Sequence, residues 1–470
     1  MRSLLKKRWL RRILVTLFWL VIWQLASLLV HNSILLSSPL ETIVTLVLRV
    51  QQLPFWSAIG FSFVRIVGGF LIALLAGLLL GLLAWRQPLV GEILNPFVTF
   101  VKSVPIVCFI VLLLIWFGSP WVSLTAVFLV AFPAFYFACR EGLENRNRQL
   151  FELLKVFDLG RKDRLLVFHW PSIRPFIQAT AKIAVGMSWK SGVAAELIEL
   201  PLGSIGARIY QAKITLSSAD IFAWTFVLVG LSLLCEKLFL LALDRSEDWA
   251  WRWALPRWQH DGIKTGLAET PAQPASQKIV LSDLAKSYDD HVILRSLNQT
   301  LDPGTRWALQ EPSGAGKTTL LRILAGLEKA DAGTLQNPNK TAMLFQESRL
   351  FEKRNALENL QLLVGRTSAL AEIRRTLEGI LPAESLELPT SQLSGGMRRR
   401  VELVRALLAP AGLVLLDEPY SGLDVETAEQ ARRLTDRLLA GRTLVLASHD
   451  STDARTLQAK DLGFCTSAKR

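Results

Sequence analysis

Lys317 and Thr318 stand near the end of the run Glu311-Pro-Ser-Gly-Ala-Gly-Lys-Thr-Thr319. A short apolar run, Trp307-Ala-Leu309, comes before it, and the helically spaced Leu320-Leu-Arg-Ile-Leu-Ala follows. A strand, a glycine-rich turn and a helix start are the context for phosphate binding, because main-chain N–H groups and the helix dipole converge on phosphate oxygens. Ser313, Gly314, Ala315 and Gly316 would form the cradle for ATP. Lys317 would reach the terminal phosphates, Thr319 would join the ATP contacts, and Thr318 would also help hold Mg²⁺. Glu311 replaces the glycine that usually opens such a loop. The cradle is built after Pro312, so Glu311 is expected to point outward and leave ATP binding and hydrolysis intact. Leu413-Val-Leu-Leu-Asp-Glu418 is an apolar strand ending in two carboxylates. Asp417 would bind Mg²⁺ through water, and Glu418 would polarise the attacking water as general base.

These groups must be carried by a sheet with intervening helices. From Ile279 onward, short apolar runs do alternate with helical stretches. The preceding half is different. All fifteen tryptophans except Trp307 lie before Gln259, and the chain of 470 residues is both apolar (mean hydropathy +0.33) and basic (net charge +13, pI about 9.8). That pairing suits a membrane protein with positive cytoplasmic loops. The basic balance alone would also allow nucleic-acid binding, but no basic patch is interleaved with aromatics, so no nucleic-acid partner is expected. The cysteines Cys108, Cys139, Cys235 and Cys465 show no metal or redox spacing.

Six apolar stretches could cross a bilayer, at about 13–30, 58–85, 100–117, 121–139, 176–200 and 222–243. Lys6, Lys7, Arg8, Arg11 and Arg12 precede the first and place the N-terminus in the cytoplasm. The loop from Arg140 to Arg174 is then also cytoplasmic and carries many basic residues, whereas the opposite loops carry few. An even number of spans returns the chain to the ATP side. Residues 259–277 lack any apolar period and read as a linker between a transmembrane domain, 1–258, and a soluble domain, 278–470. Membrane lipid is an expected partner.

The second domain resembles the ABC-type ATPases. Gln346 resembles their Q-loop glutamine, which contacts Mg²⁺ and the attacking water. Leu393-Ser394-Gly395-Gly396-Met397 resembles their signature sequence, and Ser421-Gly422-Leu423-Asp424 their D-loop. His449, ending the apolar Leu444-Val-Leu-Ala-Ser448, resembles the switch histidine that holds the water in line, and Tyr288 the aromatic that stacks on adenine. The resemblance implies catalytic roles for Glu418, His449 and Gln346. It also implies a homodimer in which Ser394, Gly395 and Gly396 cap the partner's ATP.

The first domain resembles permeases of bacterial ABC importers of the nitrate, taurine and alkanesulfonate group. Ser62-Phe-Val-Arg-Ile-Val-Gly-Gly-Phe70, Val104-Pro105 and Trp116-Phe-Gly118 carry the likeness. The basic loop, about 140–175, resembles their coupling loop, with Glu152 and Pro171 near its ends and Asp158 where a glycine is usual. The resemblance implies a type I importer-like, all-α polytopic domain fused to a P-loop NTPase domain. Such a protein would sit in the inner (plasma) membrane, hydrolyse ATP to import a small anion, and need a separate extracytoplasmic substrate-binding protein. An exporter, or a non-transporting envelope protein, are the other readings.

Ionisable residues inside spans are costly, so they are pathway candidates. Lys190, with Trp189 beside it, and Glu196 could line a path for an anion, or the two charges could neutralise each other. Lys102 and Arg65 are expected to snorkel. Gly77-x-x-x-Gly81 is expected to serve helix packing.

Overall fold

The computed structural model describes residues 2–118, 121–255, 277–289, 291–312, 314–364 and 370–463, with backbone only for 2–8 and 117. Most of the expected linker therefore lies outside the described residues, as do Ser313 and Cys465. The chain forms two compact units, Met1–Arg146 with Pro171–Glu247, and Asn147–Trp170 with Asp248–Arg470.

The first unit is all helical. Its helices are α1 (Arg2–Val30), α2 (Pro39–Val50), α3 (Leu53–Arg86), α4 (Pro88–Ser103), α5 (Ile106–Phe117) and α6 (Val122–Glu144). After the excursion into the second unit come α9 (Trp170–Glu199), α10 (Ile205–Ile214) and most of α11 (Ser218–Ala254). Among the described residues, four helices (Trp9–Val30, Leu53–Arg86, Val122–Glu144 and Ser218–Ala254) are long and apolar enough to cross a membrane. The number is five if α4 and α5 count as one broken span.

The expected span at 100–117 is not one straight helix. Val104 adopts extended geometry before Pro105, as the proline ring demands of its neighbour, and the two helices meet at a bend of 101°. The expected span at 176–200 lies in α9, a helix of 30 residues that is mostly inward-facing and less apolar than the others. In this helix Ser188, Ser191 and Glu196 are buried against protein, whereas Lys182 and Lys190 are exposed. Its C-terminal part packs between α3 and α6. A Cβ on Gly192 would lie 2.6 Å from Ile66 Cγ1 and 3.0 Å from Val127 Cγ2. The pair α3 and α6 approaches closely at Gly77 and Gly81, where an added Cβ would meet Phe135 Cβ at 2.7 Å and Cys139 Cβ at 2.9 Å.

The second unit holds two sheets. One is antiparallel, ordered β2–β1–β4, from β1 (Ile279–Tyr288), β2 (His291–Leu301) and β4 (Ala332–Gln336). The other is parallel, ordered β5–β6–β7–β3–β8, from β3 (Arg306–Leu309), β5 (Thr341–Leu344), β6 (Leu413–Asp417), β7 (Thr443–Ala447) and β8 (Lys460–Asp461). β6 and β7 are buried along their whole length, as the unbroken apolar runs require of strands covered on both faces. Leu320, Met343, Leu415 and Val445 join the core between the sheets. A separate helical cluster surrounds Leu360, Ile373, Leu377 and Val404.

Candidate functional site

β3 delivers the chain into the glycine turn, and the helix Lys317–Leu324 leaves it. Gly314 (φ +82°) and Gly316 (φ +96°) are both left-handed, and a Cβ on Gly316 would fall 2.2 Å from Ile293 Cγ2. Only glycine meets both demands. No side chain caps this helix start, so its first N–H groups remain available to an anion.

Lys317 is buried, and its Nζ donates to the main-chain oxygens of Glu311 and Pro312. It also lies 3.3 Å from both ring nitrogens of His449. Burial lowers the Lys317 pKa, while the carboxylates of Glu418, Asp417 and Glu311 oppose that loss. Glu311 is half-buried and acts on Lys317 through its charge. The expected outward orientation is therefore incomplete. The Glu311 carbonyl accepts from the lysine, and its carboxylate lies within electrostatic range of it.

Thr318 Oγ1 donates to Asp417 Oδ2 at 2.9 Å, bringing together two groups expected to serve Mg²⁺. Asp417 ends β6 and is buried, which raises its pKa, and the Thr318 hydroxyl opposes the rise. Hydroxyl and carboxylate are both oxygen donors, which suits a hard cation such as Mg²⁺. Glu418 takes a left-handed conformation (φ +49°) that turns its side chain toward the end of β7. There its Oε1 lies 2.9 Å from His449 Nε2. With Nε2–H donated to Glu418, Nδ1 is left to accept from Lys317.

Gln346, Gly395, Gly396 and Glu418 line one cleft of about 500 Å³, whose walls include no residue of the phosphate loop. Ser394 caps its own helix by accepting from Met397 N at 3.2 Å, and Ser394 and Gly395 are exposed. Asp424 caps the helix Val425–Leu439 through Thr427 N and Oγ1, and that main-chain N–H holds its carboxyl below the usual range. Tyr288 ends β1 half-exposed, with its hydroxyl bound to Glu328 and a side-chain contact to Thr319.

The sequence reading missed Arg399. It lies buried in the helix after the signature glycines, and its guanidinium bonds the carbonyls of Phe345, Asp417 and Glu418. It thus ties that helix to the ends of β5 and β6. Three consecutive arginines, Arg398 to Arg400, were the signal, but only packing shows which one turns inward.

The segment expected to act as the coupling loop belongs, from Asn147 to Trp170, to this same unit. Helix α7 (Arg148–Val156) starts at Asn147, whose side chain accepts from Leu150 N at 3.1 Å. Its Leu153 joins the buried cluster that includes Leu320 and Leu324, and its Leu154 a second cluster that includes Leu362. It ends at Asp158 (φ +49°), with Leu159 N bonded to Leu154 O at 3.1 Å. The left-handed stop explains why a glycine is usual there, and aspartate is one of the few other residues that tolerate it. Glu152 accepts two bonds from Arg322, at 2.9 and 3.0 Å, and a third from Arg349 at 2.9 Å. Arg322 lies on the phosphate-loop helix and Arg349 three residues after Gln346. Pro171 stands in the first turn of α9, after the short helix α8 (Arg161–Arg164) and a π-helical turn at Leu165–His169.

The three pathway candidates of the first unit are not brought together. Trp189 is buried beside Phe63, and both line an apolar cleft with Cys235. Glu196 is fully buried and accepts from Ser62 Oγ at 2.8 Å and Gly206 N at 3.1 Å, so it staples α3, α9 and α10 and does not pair with Lys190. Lys190 alone opens onto the larger cleft lined by α4, α5, α6 and α9. Arg65 pairs with Glu199 at 2.8 Å, and Lys102 lies 5.7 Å from the Phe137 ring centroid.

Two known families match the chain. The family described as ABC transporter matches residues 294–421, and that described as binding-protein-dependent transport system inner membrane component matches residues 69–246. The aliphatic sulfonates import ATP-binding protein SsuB 1 of Rhodococcus jostii is 38% identical over 194 residues, covering 39% of this chain and 77% of that protein. SsuB 2 of Xanthomonas axonopodis is 35% identical, covering 42% and 71%. The sulfate/thiosulfate import ATP-binding protein CysA of Methylococcus capsulatus is 34% identical, covering 37% and 57%.

Proposed function

Because the chain belongs to the ABC transporter family, joining an inner-membrane permease component to an ATPase, we propose that it is a half-transporter that imports a small sulfur oxyanion. ATP hydrolysis coupled to transport is its activity. Two copies work together, each placing Ser394, Gly395 and Gly396 over ATP held by the other's phosphate loop. A separate extracytoplasmic binding protein supplies the solute. The assembly sits in the inner (plasma) membrane, with the N-terminus and the ATPase domain in the cytoplasm. Residues 1–258 form the permease, 259–277 the linker and 278–470 the ATPase.

The observation that carries this reading is Glu152 held by both Arg322 and Arg349. When ATP is bound, Lys317 exchanges its main-chain contacts for phosphate oxygens. Glu418 takes a proton from the attacking water, and His449 keeps that carboxylate and the water aligned. Mg²⁺, held by Thr318, Asp417 and Gln346, would neutralise charge on the phosphates. Arg322 starts one turn into the helix that Lys317 opens, so its movement on nucleotide binding is passed to Glu152 and to α7. The chain continues from α7 into α6 on one side and α9 on the other. ATP thereby favours one arrangement of the helices, and hydrolysis releases it.

The names of the matched relatives support the solute class, since sulfonates, sulfate and thiosulfate are all sulfur oxyanions. Import fits the match to binding-protein-dependent permeases, which does not favour the exporter reading. The test is reconstitution in liposomes with a sulfonate-binding protein of the same organism and labelled ethanesulfonate. ATP-dependent movement from the binding-protein side, lost in Glu418→Gln, is expected. Movement only away from that side would overturn import.

A further inference from the structure

A cleft of about 830 Å³ in the membrane unit is lined mostly by apolar residues, with Thr180 and Ser191 and three charged groups: Lys102 on α4, Lys190 on α9 and Glu141 on α6. Helices α6 and α9 run antiparallel, since Ser123 Oγ donates to Gly192 O near one end, and Gly142 abuts Ile173 near the other. Glu141 therefore sits level with residue 173 or so of α9. At about 1.5 Å per residue it is some 25 Å along the helix from Lys190. It cannot be the counter-ion of Lys190. The other carboxylates of α9 are engaged elsewhere, Glu196 with Ser62 and Gly206, and Glu199 with Arg65.

Among the described residues Lys190 has no hydrogen-bond or ion-pair partner, and it faces the cleft. Lys190 is exposed to the open cleft, and between apolar helices an ammonium group without a partner costs a few kcal/mol unless something in the cleft compensates it. Lys190 is nine residues before the end of α9, or about 14 Å, which is further than a headgroup phosphate at the helix end can reach. Lys102, by contrast, rests over the Phe137 ring.

We propose that this cleft is an oxyanion station on the translocation path, where the ammonium group of Lys190 replaces water around a small sulfonate. The assignment rests on the reading of the chain as an anion importer. Oxygens of the sulfonate accept from the Lys190 ammonium group while its alkyl portion lies against Met187. This gives a site that tolerates different alkyl groups but requires the negative charge.

The test uses the full chain in nanodiscs and in liposomes, with ethanesulfonate as probe. In phosphatidylcholine nanodiscs, ethanesulfonate should bind the wild type, and Lys190→Met should weaken binding about tenfold or more, the loss carried by one charge-assisted hydrogen bond. In liposomes, the same variant should lower ethanesulfonate uptake per ATP hydrolysed, Lys190→Arg should restore it, and Lys190→Glu should lower it further. Wild-type uptake with Lys190→Met and Lys190→Glu unchanged would overturn the station while leaving import intact. A wild type that moves no sulfonate would overturn the import reading and the station with it. If Lys190→Met alters only binding of phosphatidylglycerol, added in a parallel nanodisc series, the ligand is lipid and the proposal fails.

Discussion

Glu152 and Arg322, 170 residues apart, meet in a two-pronged ion pair, Nη1 to Oε2 at 3.0 Å and Nη2 to Oε1 at 2.9 Å. Arg349 adds its Nη1 to the same Oε2 at 2.9 Å while its guanidinium lies 3.5 Å from the Phe345 ring centroid. One carboxylate thus connects the phosphate-loop helix to the segment that follows Gln346. Both arginines are mostly sheltered from water, so this is a specific, weakly screened contact.

Glu152→Ala and Arg322→Ala should each lower transport per ATP hydrolysed. In a double-mutant cycle the pair should show a coupling energy of about 0.5–3 kcal/mol. Strict additivity, measured on uptake and hydrolysis together in liposomes, would mean that the pair does not act as one link.

The same pair sets a pH dependence. The hydrogen bonds from Arg322 hold the Glu152 carboxyl down at about 2, from an ordinary value of 4.5, with burial opposing and Arg349 assisting. A depressed folded pKa contributes stability that is full above the unfolded value and is lost as pH falls through the folded one. Wild type should therefore exceed Glu152→Gln in thermal stability at pH 6, and the gap should close between about pH 5 and 2. A gap of constant size down to pH 3 would contradict the ion pair.

Glu418→Gln should reduce ATP hydrolysis by about 10²-fold or more while retaining ATP, since the amide cannot accept the proton from water. Steady-state turnover and trapped nucleotide after gel filtration measure the two effects. Turnover within a few-fold of wild type would assign the general base elsewhere.

Glu311→Gly should raise affinity for ATP. The Glu311 carboxylate acts on Lys317 through its charge, and a phosphate entering that position meets the same charge with opposite consequence. The KM for ATP is expected to fall by a few-fold, more at low salt than at high. An unchanged KM at low salt would show that solvent screens Glu311 fully.

Local chemistry was legible in the linear order of residues, because a phosphate cradle needs consecutive N–H groups and two glycines within three positions. Gly314, Gly316, Lys317 and Thr318 satisfy that requirement by adjacency alone. Buried parallel strands announce themselves as unbroken apolar runs, which is why Asp417, Glu418 and His449 could be placed at strand ends before any fold was known. The division into an apolar, tryptophan-rich half and an α/β half followed from composition.

Relations across the fold were set only by packing. Trp189 and Lys190 are neighbours in sequence, yet a helix turns about 100° per residue, so one faces Phe63 and the other the open cleft. Glu196 looked like a partner for Lys190 until Ser62 and Gly206, from two other helices, were found to hold it. Likewise nothing near Glu152 or Arg399 in the chain names Arg322, Arg349 or the carbonyls at the ends of β5 and β6. Sequence determined which groups can bind and hydrolyse a triphosphate, since that depends on spacing within a turn. Tertiary structure decided which charges meet, since burial and ion pairing depend on distances that the linear order leaves open.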